Sequence, residues 1–517
     1  MKIKYLGHAG FLVETEKTIL LIDPWLSKSG AFDGGWFQYP CNHYLSDEIK
    51  VLFSTTEKEL YVYISHEHKD HFDPTFLKEL DAFDFTYLIP QYRRTLLLDE
   101  VQSFHASKKI QICQDEEAIK LPDSIVRIFI DDSELNRDSA ILVSTDTRQF
   151  LNINDCKLHD KLFYIKETYG KIDVFAAQFS GATWHPVCYG YSDREYRNIS
   201  RRKMYSKFES VIMALKNIDA DIYLPSAGPP CFLDPSLYHL NFEEVNIFPH
   251  ADTFVDYFTK KKENITTDIV TVNPSDSIDL TSDDVQYDIA DEKRIGDYQL
   301  YIENYAKQYT QFFEERNKSV SVDFLANLKQ EFERKLESFV SREKLERSLY
   351  IACIDITDTF LKVDFQNNVV SYIESIEEEN YYLVKSNSHE FERVLNGNMT
   401  WEDLSLSFRL KLNRAPDVYQ VLMQGFLILE AEDMQAFCDK ILEIESREER
   451  ITITTDEGKY SVNRYCPHQG ADMKYAWIEE NRYLVCPRHR WRYDLENDGV
   501  CEENDSCIHA ISHEFDV

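Results

Sequence analysis

The sequence predicts a multidomain α/β protein with an α/β N-terminal part, an α+β middle region and a small all-β C-terminal domain. Three observations carry this expectation. At 517 residues the chain exceeds what one hydrophobic core organises, so about two to four domains are expected. Its first part strings together short apolar runs (KIKYLGHAGFLVE, TILLIDPWL, ELYVYI) separated by polar breaks. Its last part, from ITITTDEGKYSV onward, alternates like β-hairpins around two Cys/His pairs. The expected domains are 1–260, 261–430 and 431–517.

Composition narrows the function. Apolar residues at 43% and charged residues at 29% are ordinary for a soluble globular chain. No apolar run reaches the length needed to cross a bilayer, and the N-terminus alternates like a strand, unlike a signal peptide. A cytoplasmic location without a membrane partner is therefore expected. The formal net charge of −34 argues against nucleic acid or an anionic membrane as main partner. A small anionic substrate would need a local cluster of Arg or Lys. Eleven cysteines without regular spacing suit a reducing compartment, and Cys501 and Cys507 are expected as free thiols.

The N-terminal runs lead to SHEHKDH at residues 65–71, an H-x-H-x-D-H motif on a strand-to-helix loop. His66 and His68 can point to one side while Asp70 and His71 turn toward a second position. Imidazole and carboxylate ligands suit zinc, iron or manganese. Together with the preceding strand and the ID-P segment, this motif resembles the metallo-β-lactamase fold over about residues 1–250. The resemblance implies an αβ/βα sandwich with metals at one edge, and Asp155, at the end of QFLNINDC, matches its bridging carboxylate. Departures are also present. IFIDDSELNRDSAILV lies where the fold usually supplies a His, and it offers Asp131, Asp132, Glu134 and Asp138 instead. LPSAGPP at residues 224–230 lacks the last His, for which His250 is a candidate. His159 and His185 are left to face substrate or solvent. A single metal, or an iron site richer in carboxylates, stays open beside a two-metal centre.

In the C-terminal domain, residues 465–494 carry Cys466-x-His468, then seventeen residues, then Cys486-x-x-His489. Zinc also takes two Cys and two His, but zinc fingers usually pair like with like, whereas here each arm holds one of each. The pattern resembles the Rieske [2Fe–2S] domain. That resemblance implies that Cys466 and Cys486 hold one iron and His468 and His489 the other. Imidazoles in place of thiolates raise the potential, which suits passing single electrons to an oxidising partner. Ala471 and Arg488 stand where some Rieske proteins carry an additional disulfide.

FSGATWHPVCYGY at residues 179–191 reads as a pocket wall. DREYRNISRRKMYSKF concentrates Arg194, Arg197, Arg201, Arg202, Lys203 and Lys207 in an acidic chain. This is either a solvated basic face or an anion grip through bidentate bonds. His185, Arg201 and Arg202 are the substrate-contact candidates. Residues 264–291 read as a linker, and 297–347 as helical. Two strand-like runs follow, then a helix, a turn around Gly397 and a further helical pair, in a scaffold or ligand-binding module.

Taken with LNINDC, FSGATWHP, LPSAGPP and WEDLSLSFRLKLNRAPDVY, the pairing of domains resembles CMP-N-acetylneuraminate monooxygenases over most of residues 60–430. In that family the Rieske segment is N-terminal, whereas here it is C-terminal. The resemblance implies a Rieske-dependent non-haem iron monooxygenase that hydroxylates a small polar substrate such as a nucleotide sugar or amino-sugar derivative. O₂ would be activated at His66, His68, Asp70, His71 and Asp155. Electrons would arrive from an external reductase, ferredoxin or cytochrome. A homo-oligomer is compatible with this scheme. Two rivals stand beside it: a metallo-β-lactamase-type hydrolase with a regulatory or structural Fe–S domain, and a redox sensor that has lost catalysis.

Overall fold

A computed structural model describes residues 1–513 except 134, 136, 262–263, 290–295, 317, 457, 502 and 505. The chain divides into two compact units. One comprises residues 1–132, 136–183 and 193–315, and the other residues 133–135, 184–192 and 316–517.

The first unit is a four-layer sandwich. Its eight-stranded sheet runs in the order Gln286–Asp288, Ser277–Asp279, Lys2–Gly7, Gly10–Glu14, Thr18–Ile22, Glu59–Tyr63, Thr86–Pro90, Lys109–Cys113. The seven-stranded sheet runs Asp268–Ile269, Ile222–Ser226, Val174–Gln178, Gln149–Asn152, Arg137–Ser144, Ile125–Asp132, Ile119–Lys120. Phe11, Ile22, Tyr63 and Leu88 from one sheet share a buried cluster with Val126, Ile141, Val174 and Leu224 from the other. Strands buried on both faces read as continuous apolar runs such as TILLI, because helices cover the outer faces as well. Ile49, Phe53, Phe76 and Val101 from three helices pack on the first sheet. Leu162, Phe208, Leu215 and Phe254 from Leu162–Tyr169, Asp193–Ile218 and Ala251–Lys261 pack on the second. The αβ/βα sandwich expected from the sequence is the observed architecture.

Residues 264–291, expected as a linker, contribute three short strands where described. Ile278 pairs with Ile3, and Ile278 and Leu280 both enter the core, so a polar-looking segment is recruited by a few buried apolar residues in register.

The second unit contains a five-stranded sheet ordered Val369–Ile373, Phe360–Asp364, Ser348–Cys353, Tyr381–Ser386, Lys411–Ala415. Lys411–Ala415 was expected to be helical and is a strand instead. Its alternate residue Leu412 is buried, and it pairs antiparallel with Tyr381–Lys385 while exchanging backbone bonds with the 184–192 segment. Sheet pairing there outweighs local helix propensity. The C-terminal part holds a three-stranded and a four-stranded antiparallel sheet around Val462, Met473, Leu484 and Tyr493. Among the described residues no helix is long and apolar enough to cross a membrane.

Candidate functional site

The H-x-H-x-D-H loop leaves the strand Glu59–Tyr63 and enters the helix Pro74–Glu79. It curls because the His68 carbonyl accepts both His71 N–H (3.0 Å) and Phe72 N–H (2.7 Å). Asp73 caps the helix, accepting from Phe76 N–H at 3.1 Å, with Pro74 in the first turn. This tight turn, and not a long-range contact, sets the spacing of the four polar side chains.

Two clusters of possible ligand atoms converge there, each with its atoms within 4.8 Å: His8, Asp70 and His71, and His66, His71 and Asp155. His71 belongs to both. His8 Nε2 lies 2.8 Å from Asp70 Oδ2, His71 Nε2 lies 3.3 Å from Asp155 Oδ1, and His66 Nε2 faces His68 Nδ1 at 2.8 Å. Asp155 arrives from the second sheet, on an asparagine-rich turn after Gln149–Asn152. Asn154 adopts φ 41° there and anchors to Ser139 O through its amide at 2.9 Å.

A further ring of contacts orients these ligands. Asp23, from the ID-P segment, meets His71 Nδ1 at 3.0 Å and accepts Ser65 N–H at 2.7 Å. Asp138 Oδ1 meets His66 Nδ1 at 3.1 Å. Holding Nδ1 in this way leaves Nε2 for a metal, the usual device for fixing a ligating imidazole.

The electrostatics suit a cation. Burial opposes protonation of His71, yet Asp155, Asp70 and Asp23 around it push it up to about 9. Burial would raise Asp155, but His71 and His66 hold it well below the carboxylate range. Burial, reinforced by Asp155, pushes Asp138 well up. Burial and the neighbouring His71 and His68 keep His66 neutral, the form that ligates. Asp70 Oδ1, His71 Nε2 and Asp155 Oδ1 are buried and have no hydrogen-bond partner among the described residues. Such atoms are costly unless something else claims them. The set therefore fits a divalent metal.

The C-terminal centre is built from two loops with one backbone pattern. Cys466 O accepts Gly470 N–H (2.8 Å) and Cys466 N–H donates to Ala471 O (2.9 Å). Cys486 O accepts Arg490 N–H (2.9 Å) and Cys486 N–H donates to Trp491 O (2.9 Å). The fourth residue after each Cys is left-handed, Gly470 at φ 71° and Arg490 at φ 58°. This repeat brings two buried free thiols together, and Cys486 beside Cys466 lowers the latter to about 7. The imidazoles of His468 and His489 stand 4.7 Å apart between centroids. Burial, helped by Arg488, drives His468 down to about 3, and neither of its ring nitrogens has a hydrogen-bond partner among the described residues. Paired thiols with two imidazoles close by, one of them held neutral, fit a [2Fe–2S] cluster better than a structural zinc site. Tyr493 Oη reaches Cys466 Sγ at 3.1 Å, and Arg488 Nη1 donates to Gln469 O at 3.2 Å, joining the two loops where a disulfide is absent.

Other expected residues lie elsewhere. His185 Nε2 meets Tyr191 Oη at 2.9 Å, and that hydroxyl donates to Asp417 at 2.8 Å. Arg201 and Arg202 are exposed on the helix Asp193–Ile218. His250 packs its ring against Tyr39 and Tyr298, and His159 is buried in a short 3-10 turn. Asp132 accepts Arg93 N–H at 2.7 Å, and Glu134 lies outside the described residues. His8 was missed by sequence reasoning. Its signal is a polar residue flanked by Gly7 and Gly10 in an apolar hairpin. A Cβ at Gly10 would stand 3.0 Å from Asp23 O, so the glycine lets the Asp23 backbone approach. The 414–419 stretch also gains a place. Tyr382 Oη donates to Val418 O, and the Tyr419 ring stands edge-on to His468 at 5.5 Å.

Comparison with known proteins agrees with this division. Residues 2–130 match a family model described as a beta-lactamase superfamily domain, and residues 424–511 one described as a Rieske [2Fe-2S] domain. A protein of Mycolicibacterium smegmatis named as a Rieske 2Fe-2S iron-sulfur protein is 27% identical over 97% of this chain and 98% of its own. A Mycobacterium tuberculosis protein of the same description is 26% identical over the same shares. A metal-dependent hydrolase of Cereibacter sphaeroides is 56% identical over 32 residues, 6% of this chain and 14% of its own. The chain thus joins an N-terminal metallo-β-lactamase-fold domain to a C-terminal Rieske [2Fe–2S] domain, with a candidate metal cluster in the first and a cluster site in the second.

Proposed function

We propose that the chain is a metal-dependent enzyme acting on a small polar substrate, with its reaction at the N-terminal centre and hydrolysis as its chemistry. The observation that carries this reading is the convergence of two triads, His8, Asp70, His71 and His66, His71, Asp155, with buried unclaimed atoms on Asp70, His71 and Asp155. A divalent metal held by that set would supply Lewis acidity and activate water near neutral pH. The protein's own part is positional. Asp23 fixes the His71 ring, Asp138 fixes His66, and His8 aims the Asp70 carboxylate. The superfamily match over residues 2–130 and the short likeness to a metal-dependent hydrolase support hydrolysis. The Rieske domain is then structural or regulatory.

The Rieske domain favours a second reading, oxygenation. A one-electron carrier in the same chain calls for an electron acceptor, and non-haem iron at the N-terminal set takes that role. On this reading the substrate is the nucleotide sugar or amino-sugar derivative that the sialic-acid monooxygenase resemblance implies, with O₂ as co-substrate and an external reductase, ferredoxin or cytochrome as donor. One preparation separates the two. Anaerobic hydrolysis of chromogenic esters or phosphodiesters, with about two irons per chain and zinc or manganese besides, supports hydrolysis. Reductant-dependent O₂ uptake that is lost in Cys486→Ser, with about three or four irons per chain, supports oxygenation and overturns hydrolysis.

A further inference from the structure

We propose that Lys157 and Lys207, joined through the side chain of Gln178 next to Asp155, form an oxyanion subsite that takes a phosphate or carboxylate group of the substrate. The inference rests on the reading of the N-terminal centre as the reaction site and adds the chemistry of what is bound there.

Lys157 Nζ donates to Gln178 Oε1 at 3.0 Å and Lys207 Nζ donates to the same oxygen at 2.8 Å. One neutral amide oxygen thus accepts from both lysine side chains, although each amine has further donors to place. Among the described residues no carboxylate oxygen lies within 4.0 Å of either ammonium. Other lysines of this chain, where 91 Asp and Glu face 57 Lys and Arg, do find carboxylates. Lys161 pairs with Asp115, Lys166 with Asp219 and Lys261 with Glu209. Two lysine amines gathered on one neutral oxygen, with Asp155 as the nearby acid yet beyond ion-pair distance, keep donors for an anion from outside.

Two further observations place the subsite. Lys157 follows Asp155 by two residues on the turn that brings Asp155 to His71. Ser226 sits opposite Gln178 in the parallel pair Val174–Gln178 and Ile222–Ser226, so the two side chains leave the sheet on one face. The Ser226 hydroxyl is fully buried and has no hydrogen-bond partner among the described residues. A hydroxyl donor on the same sheet face as the Gln178 side chain that both lysines share adds to what an oxyanion needs. The basic stretch of the long helix therefore divides: Arg201 and Arg202 face solvent, while Lys207 turns inward.

The test is equilibrium binding of inorganic phosphate, with acetate as the parallel arm, to metal-replete full-length protein by titration calorimetry. Metal content is measured on every sample. Either anion is expected to bind wild type, with affinity weakened at least tenfold in Lys207→Met and Lys157→Met at unchanged metal content, retained in Lys207→Arg, and unchanged in Arg201→Ala. Lys157, partly exposed, keeps the test usable where Lys207→Met does not fold. Wild-type affinity in both methionine variants, or no binding of either anion to wild type, overturns the subsite. No turnover is read, so lysine-dependent binding without hydrolysis or O₂ uptake leaves the subsite standing and removes only the reaction.

Discussion

His8 Nε2 stands 2.8 Å from Asp70 Oδ2, both residues nearly fully buried, although 62 positions separate them in the chain. The contact ties the first hairpin to the H-x-H-x-D-H loop and makes His8 either a ligand or the group that aims one. Replacing His8 by Ala is expected to weaken metal binding at the N-terminal centre about 10–100-fold, the usual cost of losing an orienting partner. Metal analysis after dialysis checks this, and the visible and electron paramagnetic resonance spectra of the C-terminal cluster should be unaltered. Full retention of the N-terminal metal would remove His8 from the site.

Tyr493 is expected to set the cluster's potential. Its hydroxyl lies 3.1 Å from Cys466 Sγ and 3.2 Å from Ser506 Oγ. A hydrogen bond to a ligating sulfur stabilises the more negative, reduced cluster. Tyr493→Phe should lower the potential by roughly 40–60 mV, the equivalent of about 1–1.5 kcal/mol for a one-electron couple. Spectroelectrochemical titration of both proteins reads the difference, and an equal potential contradicts the assignment.

Arg488 does the work of the missing inter-loop disulfide. Its guanidinium donates to Gln469 O, so a buried cation spans the two cluster loops. Losing a charged hydrogen bond costs about 1.5–3 kcal/mol. Arg488→Ala should therefore release its cluster roughly tenfold faster or more when challenged with a chelator, followed by the loss of visible absorbance. Arg488→Lys should recover only part, because an ammonium lacks the planar fork.

Lys335 gives a pH signature of stability in the middle region. Its side chain is fully buried, with Nζ 4.7 Å from the Trp401 ring centre and 3.2 Å from Leu427 O. Burial pushes it down to about 8, partly countered by Glu430 and Glu331. An unfolded lysine titrates near ~10.4, so between those values the unfolded chain binds more protons than the folded one. The penalty is present in full below pH 8 and fades as pH rises through that window. Wild type should gain stability from about pH 8 to 10 relative to Lys335→Met, which lacks the titration, as read by denaturant midpoints. At neutral pH the methionine variant should match or exceed wild type, because Glu331 keeps the Trp401 indole N–H and Glu430 the Trp401 backbone N–H. Parallel pH profiles would contradict the buried charge.

The local motifs were legible because short-range geometry makes them. The turn at residues 65–71 closes on its own backbone bonds, and each cluster loop closes on its own cysteine, so spacing alone announces both centres. The sandwich was legible through the resemblance that the H-x-H-x-D-H motif carries, and the apolar runs agree with it because strands covered on both faces are apolar throughout. What the sequence by itself determined is therefore the position of the two centres in the chain and the layers that carry them. Tertiary structure alone decided the partners that come from afar. His8 reaches Asp70 across the first hairpin, Asp138 reaches His66 from the second sheet, and Lys157 meets Lys207 through Gln178. The same holds for Lys411–Ala415, which is a strand because a neighbouring edge was there to pair with. None of these contacts has a characteristic spacing, because sheet register and helix packing, not chain neighbourhood, set the distance between the residues that make them.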